Sequence, residues 1–250
     1  MESARPAIIV TGGGRGIGAA TVLALARAGH DVAFAYHQDA ESAHRVAARA
    51  RGNGARCVPV QADVTRDEDV HRLFESASDL GPVTGLVSNA GLTGHIGDLA
   101  DTPVEVIRRV IDVNLTGAVL CARRAAQVMS TRRGGDGGAI VHVSSAAATL
   151  GSAHEYVHYA AAKAGVEALT IGLAKELAGE GVRVNAVAPG IVETEIHARA
   201  GRPDRARTAA GRIPLGRPAQ PDEIAPAILW LLSPGAAYTT GAVIRVAGGL

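Results

Sequence analysis

Short, largely apolar runs recur along the chain at 7–10, 31–36, 57–61, 86–87, 139–143, 182–188 and 243–246. A strand without a polar face must be covered on both sides, as in a parallel sheet flanked by helices. Between these runs the apolar positions fall three and four apart. Val70, Leu73, Phe74 and Ala77 form one stripe, Val106, Val110 and Val113 a second, Val166, Leu169, Leu173 and Leu177 a third, and Ile224, Ile228, Leu231 and Leu232 a fourth. Each stripe predicts the buried side of a helix. One further helix closes at Arg27-Ala28-Gly29, and a polar one over 40–51 closes at Gly52-Asn53-Gly54. Strand and helix alternate throughout, no segment repeats, and no linker interrupts the pattern, so a single α/β domain over 1–250 is predicted.

Local signals sharpen the boundaries. Thr65-x-x-Glu68 and Ser152-x-x-Glu155 match capping boxes and predict helices starting beside them. Pro221 followed by Asp222-Glu223 predicts the start of the last helix. The stretch 191–218 is polar, Arg-rich and punctuated by Pro and Gly, which predicts a mobile flap over a cleft. Gly134-Gly135-Asp136-Gly137-Gly138 is a loop.

Candidate chemistry gathers at the strand ends. The first strand runs into Thr11-Gly12-Gly13-Gly14-Arg15-Gly16-Ile17-Gly18 and then a helix. Glycines let a ligand approach the backbone, and a helix N-terminus offers free N–H groups and a positive dipole end, so this unit predicts a phosphate cradle. Its spacing, Gly12-x3-Gly16-x-Gly18, departs from the common GxGxxG fingerprint. The second strand ends in Tyr36-His37, where a carboxylate would read the 2′-hydroxyl of NAD. No carboxylate stands there, and Arg15 suits a 2′-phosphate, so NADP(H) is the preferred cofactor, with Asp39 keeping NAD(H) possible. Ser144-Ser145 closes the strand 139–143, and a little further on Tyr159 and Lys163 stand four apart on a helix, hence on one face. A fixed cation beside a phenol stabilises phenolate and draws its pKa toward neutrality, which suits acid–base work. Asn114, inside a helix, calls for a hydrogen-bonding explanation.

Composition narrows the classes. The 25 Lys and Arg nearly balance 24 Asp and Glu, which leaves no electrostatic footprint for nucleic acid or an anionic membrane. No apolar run is long enough to span a bilayer, and Met1 to Pro6 leads straight into the first strand without a signal peptide. Cys57 and Cys121 are expected to pack, and their number suits a reducing cytoplasm. His154 and His158 lack partners at ligand spacing and are expected to line a pocket without binding a metal.

Thr11-Gly12-x3-Gly16-Ile17-Gly18, Asn89-Ala90-Gly91, Asn114, Ser145, Tyr159-x3-Lys163 and Pro189-Gly190 occur in the order and rough spacing of the short-chain dehydrogenase/reductase family. The chain resembles that family along essentially its whole length, and is similar to the branch holding sugar dehydrogenases and 3-oxoacyl thioester reductases. The resemblance implies a Rossmann-type three-layer fold with a seven-stranded parallel sheet. It implies Tyr159 as general acid or base, Lys163 lowering the Tyr159 pKa and holding the nicotinamide ribose, Ser145 binding the substrate oxygen, and Asn114 holding a relay water. Gly12, Arg15, Gly16, Ile17 and Gly18 would surround the pyrophosphate and ribose, with Tyr36 and His37 at the end of the second strand. Asp63 and Val64 would meet the adenine, Asn89, Ala90 and Gly91 the adenosine ribose, and Pro189, Gly190, Ile191, Val192 and Thr194 the nicotinamide amide. A homotetramer is implied as well.

Three departures from the pattern stand out. Ser88 replaces a common Asn. Ser145 lies fourteen residues before Tyr159, where thirteen is usual, which reads as one extra residue in the 151–158 loop with Ser144 as the fallback. Tyr156 has Ala160 four residues on in place of Lys, and reads as a wall of the substrate pocket. The predicted activity is interconversion of a ketone and a secondary alcohol on a small molecule. The alternatives are an NAD-linked sugar dehydrogenase and, in another class, a non-catalytic NADP-binding regulator or scaffold.

Overall fold

The computed structural model describes residues 5–196, 200–202, 204–208 and 210–250. Seven parallel strands form one sheet in the order β3-β2-β1-β4-β5-β6-β7. They are β1 (Ala7–Val10), β2 (Asp31–Tyr36), β3 (Cys57–Gln61), β4 (Val83–Ser88), β5 (Gly138–Val143), β6 (Val182–Pro189) and β7 (Val243–Val246). In β1, Ile8 and Val10 face one core and Ala7 and Ile9 the other, which is why the run shows no polar alternation. Helices α1 (Gly16–Arg27) and α2 (Ala40–Gly52) cover the first face. Helices α3 (Asp67–Ser78) and α5 (Gly117–Met129) cover the second, reached from α4 (Val104–Ile111). The short α6 (Ala147–Leu150) precedes the long α7 (Val157–Leu177), which joins the second face. The four-residue α8 (Arg205–Thr208) lies in the flap, and α9 (Pro221–Leu232) returns to the first face. Pro59 is tolerated in β3 because that strand pairs only with β2 and needs no donor on its outer side.

Asp31 anchors the start of β2. Its carboxylate is fully buried and accepts from the Arg56 backbone N–H at 2.7 Å and from Arg56 Nε at 2.8 Å, tying β2 to the entry of β3. From β1 the chain winds outward to β3 and then returns to place β4 on the other side of β1. Loops leaving neighbouring strands at this reversal diverge and open a crevice above the strand ends.

The boundaries follow the sequence with two corrections. Thr65-x-x-Glu68 forms no capping box: the α3 N-cap is Arg66, and the Thr65 hydroxyl donates to Asp63 at 2.8 Å. Ser152-x-x-Glu155 forms none either, since α7 starts after Tyr156 and Ser152 sits in a turn at φ 50°. At Thr65 the neighbouring Asp63 takes the hydroxyl, and at Glu155 the distant Arg205 takes the carboxylate, so neither local cap forms. At α9 the box does form, between Gln220 and Glu223 behind Pro221. The helix predicted through Asn114 runs on from Val104 to Met129, but Asp112–Thr116 widens into a π turn. Such a turn re-aims a side chain without ending the helix.

Candidate active site

The crevice between the ends of β1 and β4 is a cleft of about 480 Å³, lined by Gly12, Gly14, Arg15, Gly16 and Ile17 on one side and by Asn89, Ala90, Gly91 and Leu92 on another. The two walls are bolted together. The buried Thr11 hydroxyl accepts from the backbone N–H groups of Asn89 and Ala90, both at 2.9 Å, and Asn89 Nδ2 donates to the Thr11 carbonyl at 2.9 Å and the Gly12 carbonyl at 3.2 Å. Gly18 is buried behind the turn; a Cβ there would lie 2.2 Å from the Gly12 carbonyl oxygen, so only glycine lets α1 start this close to the loop. Thr11 opens the glycine motif in the sequence, but its role in joining the two walls carried no signal beyond a polar residue closing an apolar run.

Tyr36, His37, Gln38 and Asp39 continue the cleft wall from the end of β2. Arg15, exposed at the N-cap of α1, borders the same space. Asp39 Oδ1 accepts from the Ser42 N–H at 3.0 Å and so caps α2. Asp63 and Val64 lie opposite. Asp63 Oδ1 accepts from the Thr65 backbone and hydroxyl, while Oδ2 lies 3.2 Å from Arg109 Nη2 and 3.5 Å from His37 Nε2. Burial disfavours its charge, but the Thr65 hydrogen bonds and Arg109 outweigh that and hold the carboxyl below its ordinary range. Arg109, on α4, is a cleft residue that no local pattern announced.

Thr194, Glu195, Ile196 and Ala200 close the cleft from the flap side. Pro189, Gly190, Ile191 and Val192 do not line it and are tied instead to neighbouring backbone. The Pro189 carbonyl accepts from the Ala146 N–H at 2.8 Å, Gly190 donates to the Val246 carbonyl at 3.0 Å, and Val192 bridges to Ala219. Parts of the predicted flap, residues 197–199, 203 and 209, lie outside the described residues.

At the end of β5 the two serines separate. Ser144 is buried, and its hydroxyl donates to Glu167 Oε1 at 2.8 Å. Ser145 turns the other way: its Oγ accepts from the Ala147 N–H at 3.2 Å, and it hydrogen-bonds the Tyr159 phenol. Tyr159 and Lys163 are both buried on α7. Lys163 Nζ donates to the Val143 carbonyl at 2.7 Å and lies 5.7 Å from the Tyr159 ring centre. Burial drives the phenol above its usual range, against the pull of the Ser145 hydrogen bond, so it holds its proton. The expected lowering of this pKa by Lys163 is not seen here, because the ammonium is turned toward Val143. Burial also lowers the lysine to about 8.

Asn114 reaches the same place from the π turn. Its Nδ2 donates to the carbonyls of Leu92 at 2.7 Å and Val110 at 2.8 Å, and Oδ1 accepts from the Leu92 N–H at 3.3 Å. Between Asn114 and Lys163 passes Gly91: a Cβ there would sit 2.6 Å from Asn114 Oδ1 and 3.5 Å from Lys163 Nζ. Gly91 and Leu92 line the cleft, so Asn114 and Lys163 stand directly behind its wall, while Asn114, Ser145, Tyr159 and Lys163 are not themselves lining residues. His158 Nε2 lies 3.2 Å from the Thr93 carbonyl, and His154 pairs with Asp98 at 2.8 Å. Among the described residues no three His, Cys, Asp or Glu side chains form a metal cluster. No helix of the described residues is long and apolar enough to cross a membrane.

A parallel sheet in this order, with a glycine-lined helix N-terminus at its switch point and hydroxyl, phenol and ammonium groups at the neighbouring strand ends, defines an NAD(P)-dependent oxidoreductase of the Rossmann type. Comparison with known proteins gives the family. Residues 12–250 match the model described as enoyl-(acyl carrier protein) reductase. The chain is 43% identical over 242 residues to the oxidoreductase YgfF of Escherichia coli, covering 96% of this chain and 98% of that one. It is 42% identical over 243 residues to cis-4-hydroxycyclohexanecarboxylate dehydrogenase of Sinomonas cyclohexanicum, covering 96% and 94%. Its structure resembles a short chain dehydrogenase from Burkholderia cenocepacia in complex with NADP, at TM-score 0.89 and 30% identity, covering 99% and 98%. The chain belongs to the short-chain dehydrogenase/reductase family.

Proposed function

We propose that this protein is an NADP(H)-preferring oxidoreductase that interconverts a ketone and a secondary alcohol on a small molecule, with Tyr159 as general acid or base. The observation that carries the reading is the buried Tyr159 phenol next to Ser145, with Lys163 Nζ 5.7 Å from its ring and directly behind the cleft residue Gly91. Residues 12–18, Asp63, Val64, Asn89, Ala90, Gly91 and Thr194 hold the cofactor, for which the close backbone approach at Gly18 leaves the glycine turn open. When bound, the cofactor supplies or accepts the hydride. Ser145 donates to the substrate oxygen as charge develops on it. Tyr159, kept protonated by burial, delivers its proton to that oxygen in reduction and takes it back in oxidation. The Lys163 ammonium stabilises the phenolate this leaves once it turns from the Val143 carbonyl toward the ring, and Asn114 holds a water that relays protons to Lys163.

Arg15 beside a carboxylate-free β2 end supports NADP(H), as does the engagement of Asp39 in capping α2. Asp39 does line the cleft, and that favours the second reading, an NAD-linked sugar dehydrogenase. The exposed apolar side chains Val119 on α5 and Ile171 on α7 support a homotetramer, and the two buried free thiols suit the cytoplasm.

A nicotinamide absorbance screen over ketones, secondary alcohols, sugars and acyl thioesters tests the activity. Tyr159→Phe is expected to keep cofactor affinity and lose turnover by about 10²–10⁴-fold; near-normal activity refutes the mechanism. On the substrate found, kcat/KM with NADPH should exceed that with NADH, and a clear NADH preference refutes the cofactor assignment.

A further inference from the structure

The flap brings a buried arginine to the site. Arg205, the first residue of α8, exposes 6% of its surface although it comes from an Arg-rich polar segment. Its Nη1 donates to Glu155 Oε1 at 2.8 Å, and its Nη2 bonds both Glu155 Oε2 and the Tyr156 hydroxyl, the latter at 3.0 Å. The guanidinium carbon lies 5.1 Å from the Tyr156 ring centre. Tyr156 in turn meets Tyr159 edge-on, with ring centres 5.3 Å apart and planes at 85°. A planar fork thus grips a carboxylate and a phenol at once, a geometry that lysine cannot reproduce.

Glu155 is the hub of this contact. Arg212, from the next turn of the flap, lies 3.5 Å from its Oε1, and its backbone carbonyl accepts from the Gly97 N–H at 2.8 Å. The loop that carries it holds Ser152 at φ 50° and His154 at φ 61°, conformations unfavourable for side-chain-bearing residues. This is the loop whose length sets the chain apart from the family spacing. It turns Glu155 outward to the flap while Tyr156 packs inward on the acid. A buried guanidinium deprived of its carboxylate returns to water, carrying its segment with it.

We propose that Arg205 is a positioning residue: by forking onto Glu155 and Tyr156 it latches the flap over the substrate side of the cleft and fixes the ring against which Tyr159 packs. The kinetic consequence rests on Tyr159 being the acid of the proposed reaction, whereas the latch does not.

The test compares Arg205→Ala, Arg205→Lys, Glu155→Gln and Tyr156→Phe with the parent enzyme. Limited trypsin digestion, read at Arg207–Thr208 and Arg212–Ile213, reports flap opening without any substrate. Cleavage is expected to rise about tenfold in Arg205→Ala and Glu155→Gln, while the thermal midpoint and NADPH affinity, read by fluorescence titration, stay near those of the parent. On the best ketone of the screen, kcat/KM should fall about tenfold in both, chiefly through KM. Arg205→Lys should recover part of this loss and Tyr156→Phe should show a smaller one, because each keeps half of the grip. Parental cleavage rates in Arg205→Ala and Glu155→Gln overturn the latch, and full recovery by Arg205→Lys overturns the fork. If the parent turns over no ketone or alcohol, the functional reading fails while the tryptic pattern still decides the latch.

Discussion

Replacing Gly91 with alanine puts a methyl group where the site has no room. The added Cβ would lie 2.6 Å from Asn114 Oδ1, and the two must separate by about half an ångström before the contact is tolerable. Two relaxations are open. If Asn114 swings away, it loses its hydrogen bonds to Leu92 and Val110, leaving buried polar groups without partners. If the Gly91 segment lifts instead, the Leu92 bonds break and the cleft floor moves off Lys163. Overpacking and a lost buried hydrogen bond are alternative costs of about 1–3 kcal/mol, since either relaxation relieves the other, so about 2–3 kcal/mol is expected. In a chain of this size that lowers the melting temperature by roughly 4–12 °C. Since the displaced groups are catalytic candidates, kcat/KM should fall at least about tenfold. Gly52→Ala is the control: nothing lies within 4 Å of a Cβ there, at the last residue of α2. In an Asn114→Ala background the further cost of Gly91→Ala should largely vanish, because the clashing atom is gone. Calorimetry and steady-state kinetics on the parent and the four variants decide it. Parental stability and turnover in Gly91→Ala refute the reasoning.

Two more predictions concern charge. Burial lowers Lys163 to about 8 from the usual 10.5, so its ammonium is the minority form above that pH. For reduction, kcat/KM should be level near neutrality and fall as pH rises through about 8, and a flat profile from about pH 6.5 to 9.5 contradicts the role of the ammonium. The same shift gives the stability sign: a depressed lysine favours the folded state most above the unfolded pKa of about 10.4, and that contribution is lost as pH falls through about 8. Asp31→Asn leaves one oxygen for the Arg56 backbone N–H but puts an N–H donor where Oδ2 accepts from Arg56 Nε, and it removes the buried negative charge. It should cost about 2 kcal/mol, or roughly 4–8 °C, with kcat/KM unchanged; an unchanged thermal midpoint refutes the anchoring role of Asp31.

The chain's periodicity was enough for the layers. Ile8 and Val10 against Ala7 and Ile9 already imply a strand covered twice, and the three- and four-residue stripes of α3, α7 and α9 imply what covers it. Glycine at 12, 16 and 18 directly after a strand marked the cradle, because the backbone tolerates such an approach only without a Cβ. Where side chains had a choice of partner, sequence-local rules failed. Glu155 sits at capping-box spacing, yet it is claimed by Arg205, a partner fifty residues away that a local window does not weigh; at Thr65 the competitor is Asp63, only two residues back.

The sequence by itself thus determined an alternating α/β chain, a glycine-rich turn between its first strand and helix, and the order Asn114, Ser145, Tyr159, Lys163. Strand burial, glycine geometry and helical spacing are properties of neighbouring residues. The tertiary structure decided that Ser145 and not Ser144 faces the phenol, that burial leaves Tyr159 protonated, that a π turn aims Asn114 at Leu92, and that Arg205 closes on Tyr156. Each depends on groups from different elements, fourteen to forty-nine residues apart, meeting in a water-poor interior, where desolvation and the choice of hydrogen-bond partner outweigh local preference.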